Sequence, residues 1–358
     1  MNTSSSCTEA KQLLVVIPDL VTGGGERVTR QLIEVLASRG YRIRLVSDVA
    51  EQLLAQLPLA GYRRLDWRRR LQRFLIIAGE LLHCDRDTHV LVVLTGPIIA
   101  VGILNLLLGR TVVAHEHSDI EQLYLSAGGL KSTFRRLALR VALHSICRVA
   151  VVTDYLRERL PMVLGCDNEK FVVVRNPVQP FLQKLVCDLS PQSSSSLTAY
   201  IVGRNSGEKR HHEAIELLAT CLRVGRIVLV ARDAQTLREQ LSPQANAKLL
   251  ILNCLTEISS FDTCSSFLFS YSAVESYSLV IAEWLASGLT VLTVDNEPMW
   301  RLWQHWCGSQ FVPVQCSPAD LEMALAHAFG GTHADPRHGF EPVTVQTSAD
   351  DLVRLLSR

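Results

Sequence analysis

Short continuous apolar runs alternate along this chain with longer segments in which apolar residues recur every three or four positions. The first run, 11–17, leads into a glycine turn, and the segment 26–39 places Val28, Leu32 and Leu36 on one helical face. A continuous apolar run is typical of a parallel strand covered on both faces, and a period of about 3.6 residues is typical of a helix. The pattern therefore predicts a βαβ unit with a glycine turn at the carboxyl end of its first strand.

The same alternation extends over most of the chain, in two groups of strand-like runs. The runs lie at 11–17, 41–46, 90–94, 111–114, 148–152 and 171–174, and then at 198–202, 226–230, 248–252, 266–270 and 289–294. Strands that alternate with helical segments indicate doubly wound parallel sheets. We therefore predict an α/β chain with Rossmann-like domains at 1–178 and 198–342, joined by a linker at 179–197 where serine becomes frequent. The segment 343–358 is predicted to form a last helix, with packing back on the N-terminal domain left open.

Composition limits the classes of function that the chain can serve. Its 358 residues are 48% apolar, enough for two cores, and its net charge of +1 argues against a dedicated nucleic-acid binder. The charge is uneven, since residues 1–180 contain 23 Lys and Arg against 17 Asp and Glu. Ten cysteines without a C-x-x-C pair, and a polar start without a secretory signal, predict reduced, mostly buried thiols, a cytoplasmic location and no structural zinc.

Three segments bear on membrane contact. The span 88–109 contains no Asp, Glu, Lys or Arg and is long enough for a transmembrane helix. Because Thr95-Gly96-Pro97 divides it, we interpret it as a buried strand followed by a core helix. The span 61–82 combines six arginines with aromatic and apolar residues, and 131–140 adds four cations. This composition predicts an interfacial helix on an anionic membrane, with solvated helix faces as the alternative.

A glycine turn and a histidine pair are the candidate chemistry of the N-terminal domain. Gly24 and Gly25 allow the backbone to approach a ligand closely, but Val28 occupies the third glycine position of a dinucleotide fingerprint, which disfavours a dehydrogenase. His115 and His117 lie on one face at the end of a predicted strand. They suit a hydrogen bond from a neutral histidine to a sugar hydroxyl, or a metal pair for which the sequence places no third ligand.

The C-terminal domain carries a candidate site for a phosphorylated, hydroxyl-rich ligand. Gly203 and Arg204 end a predicted strand, and Lys209 follows five residues after Arg204. Two cations at the mouth of a sheet suit a diphosphate. Glu275 and Glu283 lie eight positions apart, the first in a polar loop and the second in an apolar helix. Their carboxylates suit a ribose or sugar diol, so the combination predicts a nucleotide-sugar site.

The start of the helix that contains Glu283 supports this prediction. The helix begins within Ser276, Tyr277, Ser278 and Leu279. The free backbone amides and positive dipole of a helix start suit a phosphate group. A carboxylate is rarely buried without a partner, which favours a binding role for Glu283.

Taken together, these residues resemble the retaining glycosyltransferases of family 4, which have the GT-B fold. The opening strand, glycine loop and helix, the strand that ends at His117, the segment 176–178 and the loop 203–209 occur in the family's order. The segment 275–283 is similar to the family's E-x7-E motif, and 286–288 (Ala-Ser-Gly) to its usual sequel.

The resemblance implies a fold in which two Rossmann-like domains face each other across a cleft. It implies an enzyme that transfers a sugar from a nucleotide-diphosphate sugar with retention of configuration and without a metal or other cofactor. UDP- and GDP-sugars are the expected donors. A saccharide or lipid-linked molecule of cell-surface glycan, polysaccharide or lipopolysaccharide biosynthesis is the expected acceptor. Peripheral contact with the cytoplasmic face of an anionic membrane is a further expectation.

The resemblance also implies roles for individual residues. The expected catalytic residues are His117, Arg204, Lys209 and Glu275, and the expected substrate-binding residues are Gly24, Gly25, His115, Gly203, Ser276, Tyr277, Ser278, Leu279 and Glu283. The two cations would stabilise the leaving diphosphate, Glu275 would bind the transferred sugar, and Glu283 would bind the ribose. Aligned on Glu-His-Ser, His117 is the histidine that faces the sugar, and His115 is the alternative.

Three positions depart from the family pattern. Ser278 stands where the family usually has Gly, Thr290 stands where it usually has Pro, and Asn-Glu-Pro-Met-Trp replaces a glycine-rich loop after Asp295. These departures leave two alternatives open. One is a non-catalytic nucleotide-sugar-binding partner subunit of the same fold, and the other is a GT-B epimerase that acts on the nucleotide sugar itself.

Overall fold

A computed structural model gives the architecture of the chain. The structure describes residues 11–20, 23–66, 69–125, 128–180, 184–186, 196–232, 234–307, 310–329 and 342–357. The chain forms two compact units, one from the residues up to Pro177 together with those from Val343 onwards, and one from Val178 to Pro342. We refer to them as the N-terminal and C-terminal units. Each contains its own parallel sheet, so the predicted α/β class with two doubly wound sheets is confirmed.

The N-terminal unit is built on seven strands. They are β1 (Gln12–Val16), β2 (Arg42–Ser47), β3 (Gly61–Arg64), β4 (His89–Val93), β5 (Val112–Glu116), β6 (Arg148–Val151) and β7 (Phe171–Val173). All pair in parallel, in the order β3-β2-β1-β4-β5-β6-β7. The strand order reverses between β1 and β4. The loops after these two strands therefore diverge and leave a crevice at the carboxyl edge of the sheet.

Helices cover both faces of this sheet. They are α1 (Gly24–Ser38), α2 (Glu51–Leu54), α3 (Arg70–His83), α4 (Thr95–Leu108), α5 (Gly129–Ser145) and α6 (Asp154–Leu164). Right-handed crossovers place α1 on one face and α3 to α6 on the other, because the connections run in opposite directions across the sheet. The C-terminal helix, Val345–Leu356, packs against α1, where Arg39 forms an ion pair of 2.7 Å with Asp350.

The C-terminal unit repeats this architecture with a smaller sheet. Its strands are β8 (Lys184–Val186), β9 (Leu197–Val202), β10 (Val224–Val230), β11 (Leu249–Leu252), β12 (Ser260–Asp262), β13 (Ser266–Ser270), β14 (Thr290–Val294) and β15 (Phe311–Val312). Six form a sheet in the order β11-β10-β9-β13-β14-β15, and β8 pairs with β12. Its helices are α7 (His211–Thr220), α8 (Pro243–Lys248), α9 (Leu279–Ala286), α10 (Glu297–Cys307) and α11 (Pro318–Phe329). The C-terminal helix of the chain, which belongs to the N-terminal unit, is α12. The strand order reverses between β9 and β13, which marks a second ligand crevice.

Of the predictions about membrane contact, the one for the span 88–109 is confirmed and the one for the span 61–82 is wrong in part. The uncharged span 88–109 forms β4 and α4, as predicted, and none of the described helices is both long and apolar enough to cross a membrane. The prediction of one interfacial helix over 61–82 is wrong at its start, because Gly61–Arg64 forms β3 and α3 begins at Arg70. Strand β3 lies at the sheet edge, where arginines remain solvated and the apolar signal of a buried strand is missing.

The predicted linker at 179–197 falls within the C-terminal unit and contributes strand β8. Three residues are too few to show a strand period in the sequence. Most of the serine-rich stretch 188–196 lies outside the described residues, as does the segment 330–341 between α11 and α12.

The prediction of reduced, mostly buried thiols is only partly right. Six of the described cysteines are free thiols, but Cys264 is disulfide-bonded. Among the free thiols Cys221 is buried, whereas Cys147 and Cys254 are exposed. Single scattered cysteines belong to no repeating pattern, so the sequence does not fix their exposure.

Candidate active site

The glycine turn of the N-terminal unit lies directly against His117. Helix α1 begins at Gly24, two residues earlier than the pattern predicts, with Gly23 as its N-cap. A β-carbon on Gly25 would lie 2.9 Å from Cγ of His117, closer than a side-chain carbon can approach. Gly25 is therefore the residue that lets the helix start reach the imidazole ring.

The amino end of α1 already holds a carboxylate. Oε2 of Glu26 lies 2.5 Å from the position of a β-carbon on Gly23, and the Glu26 side chain is buried. The positive end of a helix attracts one anion, and Glu26 supplies it here. This turn therefore suits neutral groups, such as sugar hydroxyls, better than a phosphate.

The two histidines lie side by side at the carboxyl end of β5. Their ring centroids are 4.0 Å apart and the ring planes are inclined by 42°. His115 belongs to the strand, whereas His117 follows its last residue. Burial lowers the pKa of His117 to about 4, and the neighbouring Asn176 side chain opposes this fall. Burial, with the nearby His117, lowers the pKa of His115 well below its ordinary value. Both imidazoles are therefore neutral at pH 7, which suits hydrogen bonding to a hydroxyl.

Glu116, between the histidines, fixes the loop that carries His117. Oε2 of Glu116 accepts a hydrogen bond of 2.8 Å from the Thr95 hydroxyl at the start of α4. Oε1 accepts from the backbone amide (3.0 Å) and the hydroxyl of Ser118. Burial raises the pKa of Glu116, and these hydrogen bonds oppose the rise. The carboxylate thus ties the loop after β5 to the first residue of α4.

In the C-terminal unit, Lys209 and Glu275 form an ion pair. Lys209 ends a short 3₁₀ helix after β9, and Glu275 lies in the loop after β13. Since β9 and β13 are the strands at which the order reverses, the pair lies at the crevice where such sheets bind ligands. The two side chains are only 18% and 12% exposed.

The rest of the loop after β9 surrounds Lys209. A β-carbon on Gly203 would lie 3.7 Å from Cδ of Lys209 and 3.6 Å from Nε2 of His211, which is ordinary contact. Arg204 is mostly exposed, with Nη2 3.9 Å from Oε1 of Glu208. An exposed guanidinium can reorient towards a diphosphate without breaking a buried contact.

The start of α9 is shaped by the backbone of Ser278. This N-cap residue has φ 55° and ψ 80°, in the left-handed region, and α9 runs from Leu279 to Ala286. The first amides of the helix have no partner within it and point out of its amino end. Glu283 is buried in the second turn of the helix.

Two neighbours of this helix start are structural. The ring of Tyr277 is buried and packs on Trp303 of α10, with centroids 5.7 Å apart, so Tyr277 can offer a ligand its backbone amide. The segment Asn-Glu-Pro-Met-Trp that replaces a glycine-rich loop begins α10. Oδ1 of Asn296 accepts from the Met299 amide (3.1 Å), and its carbonyl accepts from the Trp300 amide (2.8 Å).

Sequence reasoning missed several residues of these sites. Asn176 lies beside His117, and Thr95 and Ser118 bond Glu116. His211 opens α7 beside Lys209, and burial together with Lys209 lowers its pKa to about 4. The segment 176–178 was noted for its resemblance alone. Thr95 and Asn176 are far from β5 in sequence, so no local pattern connects them to it.

Neither histidine belongs to a metal cluster within the described ranges. No group of three or more His, Cys, Asp or Glu side chains that could hold a metal ion occurs there. The metal-pair alternative for His115 and His117 gains no third ligand from those residues.

Comparison with known proteins relates the N-terminal part of the chain to a known family. Residues 22–180 match the sequence model of Glycosyltransferase Family 4. The N-terminal part of the chain therefore contains a domain of this glycosyltransferase family. No curated protein gives a significant match to the sequence.

Solved structures agree with its fold. A glycosyltransferase from Rickettsia africae superposes on this chain with a TM-score of 0.70 at 15% identity, over 98% of each chain. HepE of Anabaena in complex with UDP and glucose gives 0.71 at 15% identity, over 97% of this chain and 99% of HepE. WaaG, a glycosyltransferase involved in lipopolysaccharide biosynthesis, gives 0.65 at 17% identity, over 96% and 97%. The chain therefore has the GT-B fold, as the resemblance implies.

Proposed function

We propose that this protein is a glycosyltransferase that transfers a sugar from a nucleotide-diphosphate sugar to a saccharide or lipid-linked acceptor, with retention of configuration. The observation that carries the proposal is the Lys209–Glu275 ion pair at the crevice of the C-terminal unit. Structures of HepE were determined with UDP and with UDP-glucose, which supports a UDP-sugar as the donor. WaaG acts in lipopolysaccharide biosynthesis, which supports a cell-surface glycan as the product.

The positive charge that a leaving diphosphate needs is available in the C-terminal unit. Lys209 would exchange Glu275 for a phosphate oxygen, and Arg204 would turn from Glu208 towards the same group. The first amides of α9 add the positive end of a helix. Groups already oriented towards developing charge stabilise it without reorganisation at the moment of reaction. These residues would perform the role that a metal ion has in other transferases.

The carboxylates and His117 would orient the sugars. Glu275, released from Lys209, would accept hydrogen bonds from hydroxyls of the transferred sugar, and Glu283 would accept them from the ribose. His117 is neutral because burial lowers its pKa, so it would bond a sugar hydroxyl without competing with Lys209 for the diphosphate. Gly25 would allow the start of α1 to approach the same sugar.

Donor chemistry can be tested with three variants. Purified protein is incubated with UDP- or GDP-sugars and acceptor extracts, and nucleotide release is measured for wild type, Lys209→Ala and Glu275→Gln. Loss of a charge-stabilising group costs roughly 3 kcal/mol in the barrier, so we expect each rate to fall about a hundredfold or more. Arg223→Ala is the matched control. Arg223 forms an ion pair with Glu322 (3.5 Å) and lies just before β10, away from the carboxyl edge of the sheet. Wild-type rates in the Lys209 and Glu275 variants would contradict the proposal.

Calorimetry and product analysis on the wild-type protein distinguish the two alternatives. A non-catalytic partner subunit would bind UDP in calorimetry and release no nucleotide with any acceptor. An epimerase would change the sugar without an acceptor. Ser278 and the segment 296–300 are the reasons to consider lost activity, but the left-handed backbone of Ser278 retains the course that a glycine would take there. This observation favours the transferase.

Peripheral membrane contact on the cytoplasmic side belongs to the same proposal, because a lipid-linked acceptor lies in a bilayer. Helix α3 retains part of the support for it, since Leu71, Leu75 and Leu82 are exposed. Arg63 and Arg64 belong to β3, so they no longer form one amphipathic helix with these leucines.

A further inference from the structure

Helix α5 exposes an apolar stripe to solvent. Leu130, Phe134, Leu137 and Val141 are 92%, 76%, 57% and 39% exposed. Their spacing of three or four residues puts them on one face of the helix. The opposite face is already occupied, because Leu139, Ala142 and Leu143 are buried and α5 packs along α4. The stripe is therefore additional to the apolar face that the fold uses.

The neighbouring helices also expose apolar side chains. Helix α4 packs against both α3 and α5, and all three lie on one face of the sheet. The exposed leucines of the neighbours are Leu71, Leu75 and Leu82 of α3 and Leu106 and Leu107 of α4. Monomeric proteins rarely expose extended apolar patches without a binding role. The outer surface of these helices is thus suited to an apolar partner.

Charge specifies the kind of partner. No Asp or Glu occurs between residues 122 and 153, and Lys131, Arg136 and Arg140 are exposed on α5 beside the stripe. Basic residues that flank an apolar helix face suit the boundary between anionic head groups and acyl chains. A second copy of the chain would bring the same cations face to face, which is unfavourable.

The position of α5 connects this surface to the candidate site. A helix that follows a parallel strand begins at the carboxyl edge of the sheet, so Leu130 and Phe134 lie towards the edge where β5 leads into His117. A bilayer in contact with this end of α5 would present a lipid-linked acceptor close to the crevice of the N-terminal unit.

We infer that the exposed face of α5 is the surface by which this enzyme docks on an anionic bilayer. Leu130, Phe134 and Leu137 insert between the lipid head groups, and Lys131 and Arg136 pair with lipid phosphates. The inference rests on the membrane contact of the proposed function, and it moves the main contact from the segment 61–82 to α5.

The test is co-sedimentation of the full chain with vesicles of phosphatidylglycerol and phosphatidylcholine, and with phosphatidylcholine alone. We expect Phe134→Ser/Leu137→Ser to lower the partition coefficient about tenfold or more. We expect Lys131→Gln/Arg136→Gln to lower it about thirtyfold at low salt, since each cation near an anionic surface contributes about 1 kcal/mol. The matched control is Leu222→Ser/Met323→Ser, which removes exposed apolar side chains from the C-terminal unit and should bind as wild type does.

Other outcomes separate the rival explanations. If Leu71→Ser/Leu75→Ser abolishes vesicle binding and the α5 variants do not, the contact lies on α3 and the inference is wrong. If wild type ignores vesicles but is a dimer in solution, and Phe134→Ser/Leu137→Ser makes it a monomer, the stripe binds a second copy. Nucleotide release is measured on the same proteins. If wild-type protein binds neither kind of vesicle but releases nucleotide, membrane contact is contradicted and the transferase proposal stands.

Discussion

Ser278 differs from a glycine in two separate respects. One is the energy of its backbone conformation, and the other is its side chain. The residue has φ 55° and ψ 80°, a conformation that costs a residue with a β-carbon about 1–2 kcal/mol and costs glycine little. The loop before α9 therefore follows a glycine-like course despite the substitution. What the serine adds is a hydroxymethyl group beside the first amides of the helix.

Ser278→Gly and Ser278→Ala separate these two effects. Glycine relieves the backbone strain but gives the unfolded chain more freedom, so we expect a net stabilisation of up to about 1 kcal/mol. Alanine keeps the β-carbon and should leave stability within about 0.5 kcal/mol of wild type. Urea unfolding measures both, and calorimetry with UDP reports the effect of the hydroxyl. Equal stabilities for the two variants would show that the backbone carries no strain.

At the scale of elements, the surface of the N-terminal unit depends on how closely α4 and α5 pack. A β-carbon on Gly102 of α4 would lie 2.6 Å from both the β-carbon and the carbonyl oxygen of Ala142 of α5. The Ser145 hydroxyl also bonds the Gly102 carbonyl at 2.6 Å. The glycine therefore fixes the separation of two helices whose outer faces form the apolar surface.

Gly102→Ala should separate the two helices, because the obstruction includes backbone atoms that cannot rotate away. We expect a loss of about 2 kcal/mol or more in the free energy of unfolding, even though alanine is the better helix former. Gly96→Ala is the control in the same helix. A β-carbon there meets nothing within 4 Å, so this variant should gain up to about 1 kcal/mol. A stabilised Gly102→Ala protein would contradict the close packing.

The same elements show how much of the fold could be predicted from sequence. Buried strands such as β1 and β4 are continuous apolar runs, so their pattern alone locates them to within a residue or two. Strand β3 has no such run because it lies at the sheet edge, and the two residues of β15 are too few for a period. The sequence likewise places His117 at a strand end. Its contacts with Gly25 and Asn176 join distant segments and follow from the sheet order, which periodicity does not encode.

At the scale of the whole molecule, each unit contains histidine that is buried in the neutral form. Burial lowers the pKa of His117 in the N-terminal unit and of His211 in the C-terminal unit to about 4, from an ordinary value of 6.5. The unfolded chain binds these protons near pH 6.5, and the folded chain binds them only near pH 4. Stability is therefore complete above pH 6.5 and falls as the pH decreases towards 4, by on the order of 3 kcal/mol per histidine. The raised pKa values of Glu116 and Asp119 have the opposite effect and offset part of the loss in the N-terminal unit.

His211 and its neighbour His212 allow this loss to be measured in one unit. Four of the five tryptophans (Trp284, Trp300, Trp303 and Trp306) lie in the C-terminal unit, so intrinsic fluorescence during urea unfolding mainly follows that unit. We expect His211→Gln to lower stability at pH 7, because packing is lost. The stability of this variant should depend less on pH between 6.5 and 4.5, because unfolding then takes up about one proton fewer. His212 is exposed, so His212→Gln should keep the wild-type slope. Parallel slopes in all three proteins would mean that His211 takes up its proton in the folded state as readily as in the unfolded chain. The pH dependence of the unit would then have to arise from other groups.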